Sequence, residues 1–267
     1  MKIAIIGGGN MGTTYARAFV RSNIATKDNL LIIEKHEEKR IELEKEGVAI
    51  LKDGVDKDIS SFDIIILAVK PQDFKVLAIE LKPLLKKRQI IISIMAGIKI
   101  KTISTCLDHE KVARAMPNTP AQLGFGITAF TVNKESSFEN ISIIDTLLET
   151  TGKSIFMKNE GMLDAVTAIS GSGPAYFFYF VKHMIEAGKQ MGMDEAVATM
   201  LVRQTMLGSF QIINNNKASL DQLISSVASK GGTTEAALNK FEECSVGQNI
   251  IDALKAAEKR ANELSKG

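Results

Sequence analysis

The spacing of apolar and polar positions changes partway along the chain. Over the first half, short β-branched runs alternate with stretches of helical period. Residues 2–6 and 29–34 read as strands, and 10–21 and 37–46 as helices. Residues 63–69 (DIIILAV) and 90–95 are almost continuously apolar, as in central parallel strands covered on both faces. A helix is predicted between them at 72–85, and further strands at 111–116 and 126–132. This alternation predicts an α/β fold, an N-terminal Rossmann-like doubly wound parallel sheet.

After about residue 135 the strand signal nearly vanishes, apart from 154–157. Helical periodicity takes over at 161–169, 174–191, 194–214, 220–228, 233–242 and 246–264. Pro174 suits the first turn of a long helix, and Asp194 suits an N-cap. A boundary between residues 150 and 165 follows, with domains at 1–158 and 159–267, the second all-helical. Residues 175–181 (AYFFYFV) are too aromatic to face water, so they belong to a core or a subunit interface.

The first strand runs straight into Gly7-Gly8-Gly9-Asn10-Met11-Gly12, a GxGxxG that also opens a helix. Glycine serves there because the chain turns tightly and the backbone must approach a pyrophosphate without a Cβ. The helix N-terminus adds free N–H groups and a positive dipole. Residues 1–158 are therefore read as a dinucleotide-binding domain. Glu34, ending the second strand, is placed to accept from a ribose 2′-hydroxyl and to repel a 2′-phosphate. Lys35 and His36 follow and offer cations to such a phosphate. The alternative is that Glu34 and Lys35 form a solvated strand end. The balance leans to NADH over NADPH.

Composition narrows the classes further. Hydrophobic residues make up 45% and charged residues 24%, an ordinary globular balance. A net charge of +2 supplies no field for nucleic acid or an anionic membrane as partner. No apolar run approaches the roughly 20 residues of a membrane span. Cys106 and Cys244 lie far apart, and the three histidines show no metal-ligand spacing, so no metal site is expected. The reading is a cytoplasmic protein whose cysteines are reduced thiols or simply small core residues.

Four sets of residues reach beyond generic dinucleotide binding. They are Ala68-Val69-Lys70-Pro71-Gln72; Ser93-Ile94-Met95-Ala96-Gly97 with Arg114-Ala115-Met116-Pro117-Asn118-Thr119-Pro120; Ile169-Ser170-Gly171-Ser172-Gly173-Pro174-Ala175-Tyr176, led by Asp164; and Ser229-Lys230-Gly231-Gly232-Thr233-Thr234. In order and spacing they resemble the pyrroline-5-carboxylate reductase family, over residues 2–265. The resemblance implies hydride transfer from NADH or NADPH to 1-pyrroline-5-carboxylate, giving L-proline. It implies a homodimer through the helical domain, with dimers often assembling into a decamer. It places Ile6, Gly7, Gly8, Gly9, Asn10 and Met11 around the pyrophosphate. Val69, Lys70, Pro71, Ala96 and Gly97 then line the nucleotide groove, with Met116, Pro117, Asn118 and Thr119 beside the nicotinamide. Glu160 corresponds to an acidic position near cofactor and substrate, and Gly232, Thr233 and Thr234 receive the substrate carboxylate. The chain departs from the family's Ser-Pro-Gly-Gly by carrying Lys230, which either assists anion capture or faces solvent.

Imine reduction needs a hydride at carbon and a proton at nitrogen, and no nucleophilic triad. The cofactor carries the chemistry, and the protein binds and orients. Thr234 is the first candidate for the hydroxyl near the ring nitrogen. Ser172 is the second, with helix capping as its alternative. Lys70 reads as an acid or as a phosphate contact. Two rival functions remain: a related imine reductase or β-hydroxyacid dehydrogenase, and a non-catalytic nucleotide-binding regulator.

Overall fold

The computed structural model describes residues 1–133 and 136–265. Eight strands form one sheet in the order β3-β2-β1-β4-β5-β6-β7-β8. They are β1 (Ile3–Ile6), β2 (Leu30–Ile33), β3 (Ile50–Lys52), β4 (Ile64–Leu67), β5 (Ile90–Ser93), β6 (Val112–Met116), β7 (Gly126–Val132) and β8 (Gly152–Phe156). Pairing is parallel throughout except between β6 and β7. The sheet is therefore mixed rather than purely parallel. The short connection from β6 to β7, through a 3₁₀ turn at Thr119–Leu123, allows only an antiparallel return.

Alternate side chains of each strand leave on opposite faces and build two cores. Ile3, Ile5, Ile64 and Ile66 join Tyr15 and Phe19 of α1 (Asn10–Arg21) on one face. Ala4, Ile6, Ile65 and Leu67 join Phe74 and Leu81 on the other. Those last two belong to α3 (Phe74–Leu81), which follows α2 (Glu37–Glu46). Both sides of β1 and β4 are covered, so the isoleucine runs need no polar alternation; each such side chain contributes about 1.5–3 kcal/mol by burial. The helix expected at 72–85 is confined to α3, flanked by 3₁₀ turns at Pro71–Asp73 and Lys82–Leu84. Pro71 and Pro83 lack the N–H that a continuous helix requires.

Two compact units emerge. The first comprises Met1–Ser172 with Ala257–Gly267, and the second Gly173–Ala256. This division lies later than the boundary expected after residue 158. Between the two positions, α6 (Met162–Val166) and a π-helical turn (Thr167–Gly171) bury Leu163, Asp164 and Ala168 within the first unit. That unit also holds α4 (Ile100–Leu107) and α5 (Phe138–Glu149).

The second unit is all-helical: α7 (Gly173–Gln190), α8 (Glu195–Asn215), α9 (Leu220–Val227), α10 (Thr233–Glu243) and the start of α11 (Val246–Leu264). Asp194 caps α8 by accepting from Ala196 N–H, as its position in the sequence suggested. Gly188 lets α7 approach α8: a Cβ there would lie 2.9 Å from the Ala198 Cβ. The aromatic run does not form the core of this unit. Phe177 is 60% exposed and Phe178 68%. Among the described residues, no helix is long and apolar enough to cross a membrane.

Candidate active site

The strand order reverses between β1 and β4, and in open α/β sheets ligands bind in the crevice that this reversal leaves at the carboxyl ends of the strands. The glycine loop fills that position, and its glycines have separable roles. Gly7 has φ +113, and a Cβ there would lie 2.5 Å from the Ala68 carbonyl oxygen. A Cβ on Gly12 would lie 2.0 Å from the Gly7 carbonyl oxygen, so Gly12 closes α1 onto the loop. A Cβ on Gly8 would lie 2.9 Å from that of Glu34. Only Gly9 faces open space, with nothing within 4 Å. Gly9 is also the N-cap of α1 and brings no side-chain cap of its own. The first N–H groups of α1, at Asn10 and Met11, precede the intrahelical ladder and are available to an anion. The donors and the vacant Cβ space fit a pyrophosphate.

A groove of about 560 Å³ continues from this loop, lined among others by Gly7, Glu34, Lys35, His36, Val69 and Lys70. Glu34 is buried rather than a solvated strand end. Gly8 N–H donates to its Oε2 at 3.0 Å, and His36 N–H to its Oε1 at 2.9 Å. Arg40 donates to the carbonyls of Glu34 and Lys35 at 2.8 and 2.9 Å, which fixes the turn after β2. The carboxylate is thus preset at the groove wall. Lys35 is 3.7 Å from Asp73, an exposed pair that contributes little. Lys70 is exposed where the 3₁₀ turn begins, with Pro71 next to it.

At the end of β6, Met116 and Asn118 are held by the π-helical turn. Asn118 Oδ1 accepts from Ile127 N–H at 3.0 Å, and its Nδ2 donates to Ser170 Oγ at 3.3 Å. A Cβ on Gly171 would lie 2.5 Å from Met116 Cε. Ser172 N–H closes the turn on the Thr167 carbonyl at 2.8 Å. Ala96 and Gly97 leave β5 half-buried, Gly97 with φ +75. Glu160, expected near substrate, is bonded inside the first unit: Oε1 accepts from Ile100 N–H at 2.8 Å and lies 3.4 Å from Arg114. Two participants lay outside the sequence-based selection of site residues, Ser170 and Arg114. Arg114 stands at the head of a quoted motif, and a lone arginine within the apolar strand VARAM was a further signal that could have given it a role.

In the second unit, Gly232 is the N-cap of α10, after Gly231 with φ +73. A Cβ on Gly232 would lie 2.6 Å from Ser229 Oγ, so the turn is closed. Glu235 reaches back to accept from Gly231 N–H at 2.7 Å. Thr233 is exposed and Thr234 half-buried in the first turn of α10, whose leading N–H groups precede the intrahelical ladder. Lys230 is exposed.

Comparison with known proteins agrees with this geometry. The profile described as pyrroline-5-carboxylate reductase dimerisation matches residues 160–264. One described as NADP oxidoreductase, coenzyme F420-dependent, matches residues 2–97. The pyrroline-5-carboxylate reductase of Haemophilus influenzae is 34% identical, with 98% of this chain and 97% of that one covered. That of Pisum sativum is 31% identical, at 98% and 96% coverage. The solved pyrroline-5-carboxylate reductase of Coxiella burnetii superposes with a TM-score of 0.89 at 30% identity, covering 100% of this chain and 99% of that one. The Plasmodium falciparum pyrroline carboxylate reductase, solved with NADP bound, gives 0.88 at 27% identity, covering 99% and 98%.

Proposed function

This chain belongs to the pyrroline-5-carboxylate reductase family, and from that premise we propose how its residues divide the work. The reaction is reduction of 1-pyrroline-5-carboxylate to L-proline at the expense of NAD(P)H. The observation that carries the cofactor part of this reading is the open space at Gly9 beside the uncapped start of α1, next to a groove already shaped by Glu34; the substrate follows from the family.

Ile6, Gly7, Gly8, Gly9, Asn10 and Met11 surround the pyrophosphate: the N–H groups at the start of α1 donate to it, while Gly7 and Gly8, whose own N–H groups bond Ile33 and Glu34, let the chain turn closely enough. Val69, Lys70 and Pro71, with Ala96, Gly97 and Asn118, shape the remainder of the cofactor path. When bound, the nicotinamide supplies the hydride that saturates the C=N carbon. The protein must then orient the imine and manage one proton at its nitrogen. Gly232, Thr233 and the α10 N-terminus receive the substrate carboxylate, and Thr234 places its hydroxyl beside the ring nitrogen. For Glu160 the contacts favour positioning over touching substrate, because its carboxylate is engaged by Ile100 and Arg114.

The preset Glu34 carboxylate favours NADH, since a 2′-phosphate at the end of β2 would meet a buried negative charge. A homodimer through the helical unit is supported by its exposed Phe177, Phe178 and Phe210 and by the dimerisation profile. A decamer of such dimers and a cytoplasmic location complete the reading as extensions of the family resemblance.

The test is initial-rate oxidation of NADH and of NADPH with 1-pyrroline-5-carboxylate, in wild type and Thr234→Ala. Loss of a positioned proton donor should lower kcat about 100-fold or more. Wild-type turnover in Thr234→Ala would remove Thr234 from that role, and no oxidation by wild type would refute the reductase reading.

A further inference from the structure

The last turn of α11 belongs with the sheet, not with the helices that precede it. Ser265 Oγ donates to Asp164 Oδ1 at 2.9 Å, sharing its proton with the Ala261 carbonyl at 3.0 Å. Asn262 Nδ2 donates to Asp164 Oδ2 at 3.3 Å. Asp164 is buried, and so is Arg114, which bridges it to Glu160 at 3.2 and 3.4 Å. Glu160 in turn takes the N–H of Ile100, the first residue of α4. Leu264 lies against the turn that precedes α4: a Cβ on Gly97 would be 3.2 Å from its Cβ and 3.3 Å from its carbonyl oxygen. The turn leaving β5 is thus gripped at both ends, by Leu264 at Gly97 and by Glu160 at Ile100.

This network is a costly way to hold the end of one helix. One arginine is shared by two carboxylates, and a buried ion cluster of this kind adds little net stability compared with apolar packing. What it supplies is a fixed geometry, through directional bonds that each have few alternatives. The element it fixes is the Ala96–Gly97 turn at the carboxyl end of β5. We infer that the C-terminal turn is a buttress of the cofactor groove, with Ser265 and Asp164 as positioning residues that act through the turn. The inference rests on the proposed placement of Ala96 and Gly97 in that groove.

Full-length Ser265→Ala tests it, because Asp164 keeps Arg114 and Asn262 and the ion cluster remains paired. At saturating 1-pyrroline-5-carboxylate, KM for NADH should rise about fivefold, less than the roughly tenfold or more that a full hydrogen bond to a charged group is worth because Ser265 acts on the groove only through the turn, while kcat stays within about twofold. Ser265→Thr, which keeps the hydroxyl, should restore KM. Asn262→Ala removes a longer bond and should move KM the same way by a smaller factor, so the idea does not hang on one variant folding. Wild-type turnover with KM unmoved in both alanine variants, even with a lowered Tm, would make the network a structural clasp only and overturn the inference alone. Wild-type protein that oxidises neither nucleotide would overturn the underlying site reading as well.

Discussion

Substituting alanine at Gly9 and at Gly12 should separate cofactor binding from folding within one loop. Gly9 has φ −75 and ψ −177, ordinary backbone for alanine, and its Cβ would meet nothing within 4 Å. Restricting the unfolded chain favours the variant by about 0.4–1 kcal/mol, and a poorer N-cap offsets about as much. Net stability should stay within about 1 kcal/mol, or about 2–4 °C in Tm. The new methyl would occupy the space where a pyrophosphate must approach the backbone. Loss of one or two charge-assisted hydrogen bonds, about 1.5–3 kcal/mol each, weakens binding by about tenfold to more than 100-fold. Gly12 behaves in the opposite way. Its Cβ would sit 2.0 Å from a backbone oxygen that cannot swing aside, with Ile5 Cγ2 at 3.2 Å behind it. Re-forming that turn should cost about 3 kcal/mol or more. Thermal melts paired with fluorescence titration of NADH and NADPH read both quantities. Unchanged nucleotide affinity in Gly9→Ala would refute the phosphate-cradle argument, and a wild-type Tm in Gly12→Ala would refute the close-contact argument.

Two further outcomes follow from buried groups. Glu34→Ser should shift the ratio of NADPH to NADH kcat/KM at least about tenfold towards NADPH, since it removes a charge fixed at the groove wall; an unmoved ratio would show that Glu34 does not face the ribose. Tyr15 is held against Thr128 at 3.1 Å, and burial raises its pKa above 10.0, opposed by hydrogen bonds with Thr128 and Thr151. Its folded pKa lies above the unfolded value, so its contribution to stability is complete below pH 10.0 and declines as pH rises above that. Alkaline denaturation curves should therefore be shallower over that range in Tyr15→Phe; parallel curves would deny Tyr15 that part.

Much of the fold was legible in the chain because burial on both sheet faces leaves an unmistakable trace. β4 and β5, IIIL and IIIS, read correctly from composition, and α7 to α11 from their helical period. The weak elements were those with little to bury. β3 has three half-exposed or exposed residues at a sheet edge, and it escaped notice. So did α4 and α5, whose one-sided patterns lie close to strands of similar composition. The antiparallel turn into β7 depends on a pairing between distant residues that no local period reports.

By itself the sequence determined the glycine loop after β1, the acidic end of β2 and the change from strand to helix, because those signals lie within a turn or two of chain. Tertiary structure decided what each residue does in company. It separated Gly9 from Gly12, since only approach from Ala68 and Gly7 tells an open glycine from a crowded one. It turned Glu160 towards Ile100 and Arg114, and it brought Ser265 to Asp164 across 101 residues of sequence. Such contacts arise from packing between elements distant in the chain, and local spacing carries no record of them.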